Sequence, residues 1–308
     1  MLNRKNKLVV TKLLSLFSVV RGYNIVIIVI AQYLASIYIL APFKNVKQIV
    51  LDPNLFVLVL ASAMVIASGY IINNFYDSEK DLINRPMKSM LDRLVSQNTK
   101  LSVYFVLNFL AVILASYVSF LAVLFFSGYI FLIWFYSHKL KKFLFIGNIV
   151  ASLLAIMPFF IVFVYYRNFQ TVIFVHALFL LLVISMRELA KDMENLKGDL
   201  ALGYKTIPIV YGIRFSKLLL TGLIIASIIP ISLLIYKYEI GKMDYYFYLS
   251  MLLLCIVLMG LWRSSSKIHF LIIHNIFKLI IVIGVFSIPL INVNLLLSRL
   301  QSLWTQTF

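Results

Sequence analysis

From Leu101 to Tyr136 the chain runs 36 residues without one charged side chain. Lipid offers the backbone no hydrogen-bond partners, so a run this apolar spans a membrane as helix. One crossing takes about 20 residues, which makes the run too long for a single span. It predicts two helices, 101–118 and 120–137, joined by a tight turn near Ser119. Seven further apolar runs follow the same rule, at 16–40, 54–74, 144–166, 170–188, 215–236, 245–262 and 270–294. The expectation is an all-α polytopic membrane protein with nine transmembrane helices, residues 1–308 forming a single membrane domain.

Charge tests that count. Only 13% of residues are charged and 63% are apolar, far from the roughly 25% charged of soluble domains. The net charge of +17 would suit nucleic acid, but the cations sit in short loops between apolar spans. That pattern reads as membrane orientation and contact with anionic lipid, with no nucleic-acid partner. With the N-terminus inside and nine alternating spans, 20 of the 28 lysines and arginines fall inside and six outside. Arg21 and Lys278 complete the set and lie within spans. Omitting the turn near Ser119 would invert everything after it and spoil the split. The basic start (Arg4, Lys5, Lys7, Lys12) resembles a secretion signal, yet the apolar stretch continues past Arg21 to about Leu40 without a small-residue cleavage site. It is read as a retained first span. The single Cys255 excludes a disulfide framework and is expected to be a packed thiol.

Eight of the eleven acids belong to two inside segments, so both clusters should emerge on one side of the membrane. In the first, Asn73, Asp77 and Asp81 fall at i, i+4 and i+8 on one helical face. In the second, Glu188, Asp192, Asn195 and Asp199 follow at i, i+4, i+7 and i+11. Carboxylates one turn apart at a membrane surface are poor packing residues and good hard-cation ligands. Two such stripes with cations beside them suit a metal-bridged diphosphate, in which the ion orients and neutralises the leaving group. Arg85, Lys88, Arg93, Lys139, Lys142 and Lys205 stand near enough in sequence to clamp the other phosphate oxygens. The competing reading is that these acids are solvated helix ends balancing neighbouring lysines. A transporter or lipid-binding protein is the other class, but its charged residues would lie at mid-membrane in both halves rather than at one surface.

These residues resemble a known family, the UbiA superfamily of intramembrane prenyltransferases. Asn73 to Asp81, followed by Ile83-Asn84-Arg85-Pro86, is similar to its first acidic signature. Asn195 to Asp199, followed by Gly203-Tyr204-Lys205-Thr206-Ile207-Pro208, is similar to its second. Arg21-Gly22-Tyr23-Asn24 and Tyr136-Ser137-His138-Lys139-Leu140-Lys141-Lys142 with Gly147-Asn148 agree with smaller motifs, and the resemblance covers about residues 16–294. The segment from Arg187 to Asp199 is closest in wording to geranylgeranylglycerol-phosphate geranylgeranyltransferases. The resemblance implies nine helices around a lipid-accessible cavity, a polyprenyl (geranylgeranyl) diphosphate donor, Mg2+, and a lipid acceptor such as a prenylglycerol phosphate. An aromatic quinone precursor is the alternative acceptor. It further implies that Asn73, Asp77 and Asp81 hold one magnesium ion, and that Asp199, helped by Asp192 or Asn195, holds another. Asp77, Asp81 and Asp199 then carry the catalysis. Arg85, Lys142 and Lys205 become diphosphate contacts, and Arg21 and Asn24 lie near the acceptor. Beside the resemblance, Lys88 is a further phosphate-binding candidate, and Tyr136 reads either as a cavity wall or cation stabiliser or as an interfacial anchor.

Two positions depart from the signatures: Asn74 and Asn195 stand where the family has Asp. Each swap removes a negative charge while keeping an oxygen, which predicts weaker magnesium binding with Asp192 and Glu194 as compensating acids. In the last span His274 and Lys278 share one face, where a charged group is costly and often marks function. For His274 a helix-to-helix hydrogen bond is the simpler expectation.

Overall fold

The computed structural model describes residues 4–293, except the side chains of residues 4–10 and Leu13. Arg299 and Asn294, the last residue of the expected ninth span, lie outside the described residues. The helices in chain order are α1 (Arg4–Val19), α2 (Gly22–Ala35, prolonged by a π turn to Leu40), α3 (Val46–Val50), α4 (Pro53–Tyr76) and α5 (Ser78–Asn84). They continue with α6 (Pro86–Asp92), α7 (Gln97–Val118), α8 (Phe120–His138), α9 (Ile146–Tyr166) and α10 (Thr171–Glu194). The last five are α11 (Leu196–Ala201), α12 (Ile207–Val210), α13 (Gly212–Tyr236), α14 (Asp244–Arg263) and α15 (Lys267–Ser287). Among the described residues there are nine helices long and apolar enough to cross a membrane, and no strand. The protein is an integral, multi-pass membrane protein.

The expected break at Ser119 is present. Its backbone is extended (φ −172°, ψ 159°) and its hydroxyl accepts from the Ala122 N–H, capping α8 where α7 ends. The start of the first span differs from expectation. Residues 16–19 belong to α1, a separate helix packed on α6, and the span begins at Gly22. Arg21 takes a left-handed conformation (φ 50°) that ends one helix and turns the chain into the next. Cys255 also differs. It is exposed on α14, off the buried line of Phe247, Ser250, Leu254, Val257 and Leu261 that faces the neighbouring helices.

Packing centres on α4 and α10. The first touches α2, α7, α8 and α9; the second touches α9, α13 and α15, while α2 also meets α15. Helices in lipid associate through small residues and interhelical hydrogen bonds. Accordingly Ala61 of α4 and Ala111 and Ala115 of α7 are fully buried where these two helices pack, and Ser68 donates to Asn108 across them at 2.6 Å. Pro158 in α9 lacks the N–H that would pair with the Leu154 carbonyl. The Tyr129 hydroxyl donates to that carbonyl at 2.9 Å, and Gln32 Nε2 donates to the Pro158 carbonyl at 2.6 Å.

Candidate active site

Both acidic clusters are built the same way: a long helix, a one-residue joint and a short helix. Asp77 joins α4 to α5 (φ −93°, ψ 4°) and Asn195 joins α10 to α11 (φ −97°, ψ 11°). Backbone bonds keep the four-residue step across each joint, Asp77 N to Asn73 O and Asp81 N to Asp77 O in one, Asp199 N to Asn195 O in the other. The helical stripes therefore survive the bends, and the short helices are free to turn toward each other.

Asn84 and Gly198 set how closely they approach. Asn84 Nδ2 donates to the Asn195 carbonyl at 3.2 Å and Asn84 Oδ1 accepts from the Gly198 N–H at 3.1 Å. A methyl group at Gly198 would stand 2.3 Å from Asn84 Nδ2, so only glycine admits the clamp. Lys267 Nζ caps the Asn84 carbonyl at 2.6 Å.

With the loops clamped, Lys80 Nζ lies 3.2 Å from Asp199 and 3.7 Å from Asp77. Lys141 Nζ donates to Asp77 at 2.8 Å and to Asn73 Oδ1 at 3.4 Å. Tyr204 donates to Asp77 at 3.3 Å, and the Lys80 ammonium rides 4.6 Å over the Tyr204 ring. Asp192 accepts from Asn148 at 2.8 Å, and Glu188 from Lys191 at 2.8 Å and from Arg187. Asn73, Asp77, Lys80, Tyr136, Lys141 and Asp192 enclose a cavity of about 30 Å³, room for one or two waters.

Burial alone would raise the Asp77 carboxyl, but Lys80 and Lys141 outweigh it and hold the group at about 2. Burial brings Lys141 down to about 8, with Asp77 pulling the other way. Asp199 is raised, burial outweighing Lys80. Asp199 Oδ1 lies near Lys80 but outside hydrogen-bonding geometry, and with Asn195 Oδ1 and Thr206 Oγ1 it is buried without a hydrogen-bond partner. Buried oxygens without a hydrogen bond are costly, and a hard cation takes oxygen donors of this kind. The donor set thus fits Mg2+. Among the described residues no three acids or imidazoles are already gathered around one point, because lysine ammoniums hold them.

Asp81 sits one turn beyond Asp77, outside the cavity lining, and Lys88 pairs at 3.9 Å with Asp92. Arg85 bonds Glu194 at 2.9 Å. Lys142 and Lys205 are exposed and joined only through backbone, the Lys205 N–H donating to the Lys142 carbonyl at 3.1 Å. Arg21 and Asn24 gather elsewhere, around Tyr70: Arg21 stands 5.2 Å over its ring and Asn24 donates to its hydroxyl at 3.1 Å.

Asn74 is not the weakened ligand expected from the sequence. Its Nδ2 donates to Asp92 at 2.9 Å and its Oδ1 accepts from the buried Lys100 at 2.9 Å, so the side chain points away from Asp77. Nor does Glu194 compensate in the metal set, since Arg85 and His274 take both of its oxygens. His274 makes the helix-to-helix bond expected of it. Sequence reasoning passed over Lys80, Lys141, Asn148, Lys191 and Tyr204. Lys80 and Lys191 lie inside the two acidic stretches and Asn148 beside Gly147; that proximity was the available signal.

A family model described as the UbiA prenyltransferase family matches residues 29–269. A digeranylgeranylglyceryl phosphate synthase of Methanobrevibacter smithii is 29% identical over 240 residues, covering 74% of this chain and 79% of the relative. A solved structure of a digeranylgeranylglyceryl phosphate synthase superposes with a TM-score of 0.68 at 22% identity, covering 90% of this chain and 97% of the other. A UbiA homologue from Archaeoglobus fulgidus, bound to GPP and Mg2+, gives 0.63 at 14% identity over 89% and 99%. At these identities the two structures show a shared fold.

Proposed function

The chain belongs to the UbiA prenyltransferase family, and from that premise we propose that it transfers a polyprenyl group from an allylic diphosphate to a lipid acceptor carrying a glycerol phosphate. It is a prenyltransferase. The observation that carries the proposal is the Lys80 bridge between Asp77 and Asp199, which puts both acidic clusters around one small polar cavity. The relative's name, ending in glyceryl phosphate synthase, supports the acceptor class.

Asn73, Asp77 and Asp81 would hold one Mg2+, and Asp192, Asn195 and Asp199 the other. Bound magnesium supplies positive charge that stabilises a departing diphosphate. In this reading Lys80, Lys141 and Lys191 turn from the carboxylates to the diphosphate oxygens, with Arg85, Lys88, Lys142 and Lys205 at the rim. The bond between the allylic carbon and the diphosphate oxygen breaks, its electron pair leaving with the diphosphate. Tyr136, on the cavity wall, faces the allylic cation with its ring. The acceptor hydroxyl oxygen bonds that carbon, and its proton goes to the released diphosphate. Surrounding helices bury the prenyl tail in apolar surface and keep water away. The cation asymmetry supports a cytoplasmic N-terminus and a cytoplasmic acidic end, in a chain that would act as one membrane domain.

The test is product formation from geranylgeranyl diphosphate and geranylgeranylglyceryl phosphate by purified protein, with and without Mg2+, read by mass spectrometry and diphosphate release. Magnesium-dependent transfer that fails in Asp77→Ala and Asp199→Ala is the expected result. Absence of diphosphate release with any lipid or aromatic acceptor would overturn the reading.

A further inference from the structure

α15 supplies none of the residues that carry the chemistry above, yet it touches both acidic loops. Lys267 opens the helix and His274 follows two turns later on the same face, about 10 Å along the axis. Lys267 Nζ donates at 2.6 Å to the carbonyl of Asn84, the last residue of α5. His274 Nδ1 lies 2.8 Å from Oε2 of Glu194, the last residue of α10. Between these two points the loops are tied to each other, because Arg85, next to Asn84, donates to Glu194 Oε1 at 2.9 Å. The contacts close a ring that runs from α15 through Asn84 and Arg85 to Glu194 and back to α15.

Burial explains why the ring stays closed. The side chains of Glu194 and His274 are 2% and 5% exposed. A buried carboxylate is tolerated only when it is paired and hydrogen-bonded. Arg85 pairs with one oxygen, and His274 alone reaches the other. An ionised carboxylate can only accept, so the imidazole presents Nδ1–H to it. Displacing the end of α10 would leave a buried oxygen unmet, which gives that end one preferred position.

The position matters because Glu194 directly precedes Asn195, the joint between α10 and α11. Asn195 Oδ1 and, one turn on, Asp199 Oδ1 are buried without a hydrogen-bond partner. No hydrogen bond fixes either oxygen, so the backbone that carries them sets their aim, and Glu194 is where α15 holds that backbone. Outer contacts that orient metal ligands are typically worth about 10–100-fold in metal affinity or activity.

We propose that His274 and Lys267 are positioning residues. Acting through Glu194 and Asn84, they fix the joint at Asn195 and so aim Asn195 and Asp199 at a divalent cation. The inference rests on the metal assignment of the prenyl-transfer reading and adds the last membrane helix to it. His274 then does more than pack two helices together: without its bond the ligands remain but lose their common aim.

The experiment measures metal binding, stability and turnover on detergent-solubilised full-length protein. Mn2+, which takes the same oxygen donors as Mg2+, is titrated without donor and its free fraction read by EPR. The proteins are wild type, His274→Leu, His274→Asn, Lys267→Met and Tyr129→Phe, the last losing an interhelical bond away from both loops. His274→Leu is expected to weaken Mn2+ about tenfold or more and to raise the Mg2+ needed for half-maximal transfer in step. His274→Asn keeps a donor near the place of Nδ1 and should recover most of the loss. Lys267→Met, at an exposed residue, should weaken Mn2+ several-fold and reads the ring should His274→Leu fail to fold. Tyr129→Phe should stay within about twofold in Mn2+ affinity, although it too lowers the unfolding temperature. Unchanged Mn2+ affinity in His274→Leu or Lys267→Met would reduce the contacts to packing and overturn the inference. Equal weakening in Tyr129→Phe, or His274→Asn as weak as His274→Leu, would overturn it as well. Wild type that binds no Mn2+ would overturn the metal assignment and the inference with it. Mn2+ binding that depends on His274 without transfer to any acceptor would keep the ring and overturn the prenyl-transfer reading; transfer with Mn2+ affinity unmoved in the variants would do the reverse.

Discussion

Asp77 and Asp199, far apart in sequence, share one ammonium: Lys80 Nζ lies 3.7 Å from the first and 3.2 Å from the second. A buried pair of carboxylates stripped of such a partner would repel each other and lose their solvation together. Lys80 therefore occupies the position in charge that a divalent cation would take. Lys80→Gln should lower the unfolding temperature of the metal-free protein by a few degrees and enlarge the stabilisation that Mg2+ gives. Thermal unfolding with and without Mg2+ measures both. Equal magnesium shifts in the two proteins would show that Lys80 does not compete with the ion.

The acids differ in consequence. Asp77→Asn and Asp199→Asn keep shape but remove charge from the centre of the bridge, and each should reduce diphosphate release by about 100-fold or more. Glu79→Gln, on the exposed face of the same stretch, should stay within about twofold of wild type. Rates at saturating donor and magnesium decide it; comparable losses at all three positions would point to a general charge effect.

Asn74→Asp tests a point where structure and sequence part. As a metal ligand, an added carboxylate would tighten magnesium. In the fold, Asn74 Nδ2 donates to Asp92 at 2.9 Å, so the new carboxylate would face another across a former hydrogen bond. The expected outcome is lower thermal stability with unchanged magnesium dependence of the rate.

What was legible follows from periodicity. The stripe of Asn73, Asp77 and Asp81 could be read because four-residue spacing survives the joint at Asp77, and the turn at Ser119 because a 36-residue apolar run exceeds one bilayer crossing. The choice among Lys139, Lys141 and Lys142 could not. It depends on a single 3₁₀ turn, Leu140–Lys142, which buries Lys141 against Asp77 and leaves Lys142 exposed. Asn74 was opaque for a related reason: its partners Asp92 and Lys100 lie on α6 and α7, across several chain turns where spacing carries no information. The start of the first span hid behind apolar residues shared by α1 and α2, separated only by the backbone of Arg21.

Gly198 and Asn84 should behave as one unit. Gly198→Ala drives a methyl group into Asn84, and overpacking of this kind costs about 1–3 kcal/mol. It should also part the two acidic loops and lower the rate. In an Asn84→Ala background the obstructing amide is gone, so the second substitution should cost less than it does alone. Thermal unfolding of the four proteins gives the coupling; strictly additive effects would mean that the clamp does not hold the loops.

Tyr129 and Pro158 test the membrane core in the same way, away from the chemistry. Pro158 leaves the Leu154 carbonyl without its helical partner, and the Tyr129 hydroxyl supplies one at 2.9 Å. Tyr129→Phe should cost about 0.6 kcal/mol, the average for interhelical hydrogen bonds in membranes, and no more than about 1.7, with little effect on the KM of either substrate. Pro158→Ala restores an N–H at the position that normally bonds this carbonyl, and in that background Tyr129→Phe should cost much less. Unfolding in mild detergent separates the cases. If Tyr129→Phe costs the same with alanine at 158 as with proline, the hydroxyl is not answering the proline, and the bond is incidental to the fold.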